Sequence, residues 1–184
     1  MADGSTIPPN PPSGAAQSAA ALTASPAIVA ERLKERVYAT LTVMAVALGL
    51  AQAEHQSHAR AAVAVLATAL GLWLATIVAD QQAHRVVYGS LARGAELRRL
   101  LFVSSPLLAA AVGPLVLIGL SALGAMELPT ALYSAAWLSA GSLFVWGCAA
   151  GLRMGGGRIA AVVVGLMDLA VGAVVVLVKL AAGH

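Results

Sequence analysis

Asp168 sits at the centre of a 20-residue apolar run, Ile159 to Val178, and is the run's one charged side chain. Arg158 precedes the run and Lys179 follows it. At about 1.5 Å of helix rise per residue, each lies roughly 15 Å from Asp168, half the thickness of a hydrocarbon core. A carboxylate at that depth costs on the order of 2.5–3.5 kcal/mol even on lenient insertion scales, so it marks a functional site by default. At 100° per residue, Ala161, Val164, Gly172, Val175 and Lys179 fall within about 40° of Asp168. Small residues beside the carboxylate leave room for a neighbouring helix, a water or an ion. The expected hydroxyl partners are Thr40 and Thr42, Ser104 and Ser105, and Ser134, Ser139 and Ser142. Two readings follow for Asp168. It is a protonatable or cation-binding site in a transport path, tuned by Lys179, or it is interhelical glue worth about 0.6–2 kcal/mol.

Asp80 and His84 form the second candidate. At i,i+4 they share a helix face, where they are either a weak cation or proton-relay site or a solvated pair at a helix end. The run Glu54-His55-Gln56-Ser57-His58 departs from the zinc-protease pattern, which needs His-Glu-x-x-His on one helix. No metal can be assigned from spacing. The single cysteine, Cys148, allows no disulfide within one chain and has no histidine in its own segment. A Gly-x-Ser-x-Gly elbow is missing. Met154-Gly-Gly-Gly-Arg158 lacks the Gly-Lys-Ser/Thr ending of a phosphate loop. Neither enzymatic chemistry nor a cofactor is implied.

The elements that must position these residues are membrane helices. Of 184 residues, 60% are hydrophobic and 10% charged, against about 25% charged in globular domains, and the mean hydropathy is +0.86. Five runs are long enough, or nearly so, to cross a bilayer: Val37–Ala53, Ala61–Ala79, Leu100–Met126, Leu128–Leu152 and Ile159–Val178. The expected fold is all-α, an integral bundle of five transmembrane helices at about 37–53, 61–84, 100–126, 130–152 and 159–180. Residues 1–30, with Pro8, Pro9, Pro11, Pro12 and Pro26 among small polar residues, read as a disordered cytoplasmic tail.

Charge sets the expected orientation. Arg32, Lys34 and Arg36 precede the first helix, Arg85, Arg93, Arg98 and Arg99 follow the second, and Arg153 and Arg158 follow the fourth. Nine of the 11 basic residues thus fall on one side, leaving Arg60 and Lys179 on the other. The positive-inside rule places the N-terminus in the cytoplasm and the C-terminus outside. The basic balance therefore points to a lipid bilayer with anionic headgroups as partner and not to nucleic acid, for which aromatic readers on a soluble basic face are missing. Abundant Ala, Gly and Arg point to a GC-rich bacterial genome and a multi-pass plasma-membrane protein.

Finer features are also legible. Glu31-Arg-Leu-Lys-Glu-Arg36 reads as a charged headgroup anchor in which Glu31 can reach Lys34 at i+3. Val86–Leu100 fits a short interfacial helix broken at Gly89 and Gly94. Pro114 should kink the third helix and free the carbonyl of Ala110. Gly147 and Gly151, with Ala161 and Gly165, are small residues four apart that let helices approach closely. They serve packing within one chain or, alternatively, a homo-oligomer interface.

The layout of five helices with a cytoplasmic segment after the second resembles the vacuolar iron transporter family, which exchanges ferrous or manganous ions for protons. Val43-Met-Ala-Val-Ala-Leu-Gly-Leu50, Ala111-Val-Gly-Pro-Leu115, Gly151-Leu-Arg-Met154 and Lys179-Leu-Ala-Ala-Gly183 carry the similarity. Where the family has Asn-Asp-Gly in its first helix, this chain has about Val37-Tyr38-Ala39, with no carboxylate, and the family's Gly-Glu-Tyr has no match. No family metal ligand is carried over, and Asp168 would have to serve instead. Two functions are expected from the whole: a small cation or proton-coupled transporter or channel using Asp168, or a non-transporting accessory protein packing with itself or a partner complex.

Overall fold

The computed structural model describes residues 26–53, 55–155 and 157–182, with the side chains of 179, 180 and 182 outside the description. Among the described residues six helices follow one another: α1 (Pro26–Gln52), α2 (His58–Tyr88), α3 (Ala95–Ala109), α4 (Val112–Ala122), α5 (Leu128–Arg153) and α6 (Gly157–Ala182). Four stretches of the described residues are long and apolar enough to cross a membrane: His58–Tyr88, Ala95–Ala122 (α3 with α4), Leu128–Arg153 and Gly157–Val178. The protein is an all-helical membrane bundle among its described residues.

Helix α1 is not among those four. Its first turns carry Glu31, Arg32, Lys34, Glu35 and Arg36, which dilute its apolar half. Yet α1 is the central helix, packing against α2, α3, α5 and α6. Ala39, Val43, Met44, Ala47 and Leu48 are buried along it. A helix ringed by other helices meets little lipid, so small and moderately polar side chains suffice. The outer helices show the opposite balance. On α2 only Ala61, Val65 and Ala69 are buried, while Val63, Leu66, Leu70, Leu74 and Val78 form an exposed stripe at helical spacing. Trp137 and Ile159 are 77% and 82% exposed. Such a surface requires an apolar solvent.

Several expectations need correction. Residues 26–30, read as part of the disordered tail, are the first turns of α1, and Ile28 is buried there; residues 1–25 lie outside the description. The interfacial helix over Val86–Leu100 does not form. Helix α2 continues to Tyr88 and ends at Gly89, whose positive φ of 66° lets its N–H reach the Arg85 carbonyl at 2.9 Å. A turn then leads to α3. The third predicted helix is two helices, interrupted at Ala110–Ala111. Pro114 explains the break, because it has no N–H to offer the Ala110 carbonyl four residues earlier.

Opposite ends of the bundle are tied differently. At one end the Gln81 side chain grips Ala92 twice, accepting from its N–H at 3.0 Å and donating to its carbonyl at 3.2 Å. At the other, the His58 ring and the Ser121 hydroxyl share a 3.0 Å hydrogen bond that joins the start of α2 to the end of α4.

Candidate functional site

The tightest seam in the bundle is between α5 and α6, and it is built from the glycines. A Cβ on Gly151 would lie 2.5 Å from the Ala161 Cα, and one on Gly147 would lie 2.7 Å from the Gly165 Cα. A Cβ on Gly165 would meet Cys148 Sγ at 2.5 Å and the Phe144 carbonyl at 2.8 Å. The small residues thus pack within one chain. Asp168 belongs to this seam, because a Cβ on Gly147 would also meet Asp168 Oδ2 at 2.6 Å. The missing side chain at 147 makes the space the carboxylate occupies.

Asp168 is half-buried. Among the described residues no hydrogen bond or ion pair reaches its carboxylate. Six of the seven expected hydroxyl partners, all but Ser134, donate to carbonyls of their own helices. Thr42 Oγ1 donates to the Tyr38 carbonyl, Ser104 Oγ to that of Leu100, and Ser139 Oγ to that of Ala135. The Lys179 side chain lies outside the described residues.

Asp80 and His84 are not joined by an ion pair among the described residues. His84 stacks on Tyr88 with ring centroids 4.6 Å apart. Asp80 lies instead within electrostatic reach of Glu31, Glu35, Lys34 and Arg99. There Arg99 bridges Glu96 at 2.9 Å and Glu31 at 3.6 Å. Glu31 therefore pairs across to α3 and not with Lys34, which pairs with Glu35 at 3.5 Å. Among the described residues no three His, Cys, Asp or Glu side chains gather closely enough to hold a metal ion.

Two cavities open between α1, α3 and α5. The smaller, about 170 Å³, lies at the α3–α4 break against Thr40, Pro114, Ser139 and Ser142. Thr40 Oγ1 donates to the Arg36 carbonyl at 2.8 Å and Ser142 Oγ to that of Ser139 at 2.7 Å. With their protons spent on their own helices, these hydroxyls offer oxygen lone pairs to the cavity. The larger, about 830 Å³, is a mostly apolar groove bearing Arg32, Arg36 and Arg153 beside Phe102 and Trp146. Arg36 and Trp146 line both. Asp168 lines neither, since it faces α5 at Gly147 while the cavities open beside Ser142 and Trp146.

No known family model, curated protein or solved structure matches this chain. Function must therefore be argued from the bundle itself. Sequence reasoning missed the arginine groove. Arg32 and Arg36 stand one turn apart and so share a face of α1, but the aromatic rings they cover come from helices remote in sequence.

Proposed function

We propose that this chain is a five-helix integral membrane protein, basic end in the cytoplasm, that assembles through Asp168 with a second membrane-embedded helix and carries no solute. The observation behind this reading is Asp168 itself, a mid-span carboxylate, half-buried, with no partner among the described residues. Charges in a membrane pair with something. The apolar surface of α6 beside it, with Val163, Met167, Val171 and Val174 exposed, suits a neighbouring helix. Helix α1 serves as the fifth span, central and shielded from lipid. The Arg-, Ala- and Gly-rich composition favours a bacterial plasma membrane. The first partner to test is a second copy of the chain.

A second reading, transport, is favoured by a different observation. A broken helix facing a polar cavity is the arrangement in which secondary transporters bind substrate, and the α3–α4 break opposite Thr40, Ser139 and Ser142 has that form. The resemblance to the vacuolar iron transporters points the same way.

One comparison separates the readings: wild type against Asp168→Asn and Asp168→Ala. Native mass spectrometry in mild detergent is expected to show a wild-type dimer that Asp168→Ala dissociates. Proteoliposomes of either protein are expected to pass no protons, ferrous iron or manganese. Flux that Asp168→Asn abolishes while folding is kept would establish the transporter and sink the accessory reading.

A further inference from the structure

The groove between α1, α3 and α5 collects three guanidinium groups at one end of the bundle, Arg32, Arg36 and Arg153, and among the described residues no carboxylate lines it. Among the described residues, the ion pairs join Lys34, Arg99, Glu31, Glu35 and Glu96, and none includes these three arginines. Two of the three are held in place by the protein. Arg32 donates to the Phe102 carbonyl and to Ser105 Oγ, and lies 3.9 Å above the Phe102 ring. Arg36 lies 4.2 Å above the Trp146 ring. A guanidinium has five N–H donors, so donors remain on both after these contacts. Burial, and then the like charge of Arg36, pull the Arg32 guanidinium below its ordinary pKa. An anion between the two would relieve that repulsion.

The rest of the groove's wall is apolar, with Val29, Ala30 and Leu33 from α1, Pro106 from α3, and Ala149 and Ala150 from α5. The expected bilayer places this end at the headgroups, with Val37 as the start of the first apolar run. Three guanidinium groups set among apolar walls match one kind of molecule, an anion with a hydrocarbon tail. We propose that the groove holds an anionic glycerophospholipid, its phosphate on Arg32, Arg36 and Arg153 and an acyl chain running past Phe102 and Trp146 toward Pro106. Basic pockets between membrane helices on the cytoplasmic side recognise lipid phosphates in this way. Phosphate takes paired N–H donors from arginine better than from lysine, whose ammonium acts as a point charge. The site stands apart from Asp168 and does not depend on which function that residue serves.

The full chain, purified in mild detergent, is titrated with phosphatidylglycerol, with phosphatidylcholine and with inorganic phosphate, and retained lipid is read by native mass spectrometry. Phosphatidylglycerol is expected to be retained and phosphatidylcholine not. Arg36→Gln with Arg153→Gln should weaken retention about tenfold or more, while Arg98→Gln, an exposed arginine outside the groove, should leave it unchanged. Unfolding temperatures of the variants without added lipid separate lost binding from lost folding. A Trp146→Phe variant, which keeps a ring under Arg36, should retain the lipid. Equal retention of both lipids, retention indifferent to the arginines, or displacement of lipid by millimolar inorganic phosphate would each overturn the proposal. So would crosslinking that seats residues 1–25 or a second copy of the chain in the groove.

Discussion

Gly147 and Asp168 act as a pair, and each explains the other. The carboxylate occupies space that a side chain at 147 would fill. Gly147→Ala must therefore displace both Asp168 and the Gly165 backbone, whereas Gly151→Ala meets only the backbone of Ala160 and Ala161. Overpacking of this kind costs about 1–3 kcal/mol, and thermal unfolding in detergent should show both variants destabilised. Gly71→Ala is the matched control, because a Cβ there meets nothing within 4 Å. It should be neutral or stabilising by up to about 1 kcal/mol. If Gly71→Ala and Gly147→Ala lose the same stability, the seam is not where the packing is tight. Water access to Asp168 is readable at the same scale. Asp168→Cys in a Cys148→Ala background should react slowly with a small aqueous thiol reagent if the position faces a partner helix, and fast if it lines a conducting path.

At the scale of elements, the α3–α4 interruption and the Gln81 clamp decide local shape. Pro114→Ala restores an N–H that can bond the Ala110 carbonyl, so α3 and α4 should fuse. Hydrogen exchange over residues 110–114 should slow, and unchanged exchange would show that the break has another cause. Gln81→Ala removes two hydrogen bonds to the buried backbone of Ala92. A loss of about 1–3 kcal/mol is expected, with faster exchange across residues 89–94. Sequence reasoning located the Pro114 break, because proline's missing donor acts on its own helix four residues back. It did not find the Gln81 clamp. That contact spans 11 residues, and it depends on a turn whose course is set by Gly89 and Gly94, both at positive φ. The supposed interfacial helix failed for the same reason: alternating apolar and basic residues over Val86–Leu100 look amphipathic, yet the two glycines divide them between the end of α2 and the start of α3.

For the whole molecule, the arrangement of charge gives the sharpest prediction. Arg32, Arg36 and Arg153 line one groove, and the Glu31–Arg99 pair ties α1 to α3 nearby. The His58–Ser121 contact marks the opposite end. If the basic end faces the cytoplasm, then in a Cys148→Ala background Ala125→Cys should label from outside intact cells with an impermeant thiol reagent. Ser90→Cys should label only after permeabilisation. The reverse pattern would invert the topology, and labelling of both from outside would remove the α3–α4 stretch, Ala95–Ala122, from the set of spans.

Amino-acid order by itself determined that this protein must be helical and must sit in lipid, because run length and hydropathy act locally and along the chain. It also determined the face that Asp168 shares with small residues, because the period of a helix is known before its neighbours are. What covers that face was decided only in the tertiary structure. Gly147 and Gly165 could have met across two chains, and folding brings them together within one. Helix α1 reads as the weakest span, yet it takes the centre, since a helix wrapped by others is relieved of the need to be lipophilic. The groove with Arg32, Arg36 and Arg153 is likewise a product of three helices meeting. Each arginine taken singly looks like a headgroup anchor, and only their convergence beside Phe102 and Trp146 makes a site.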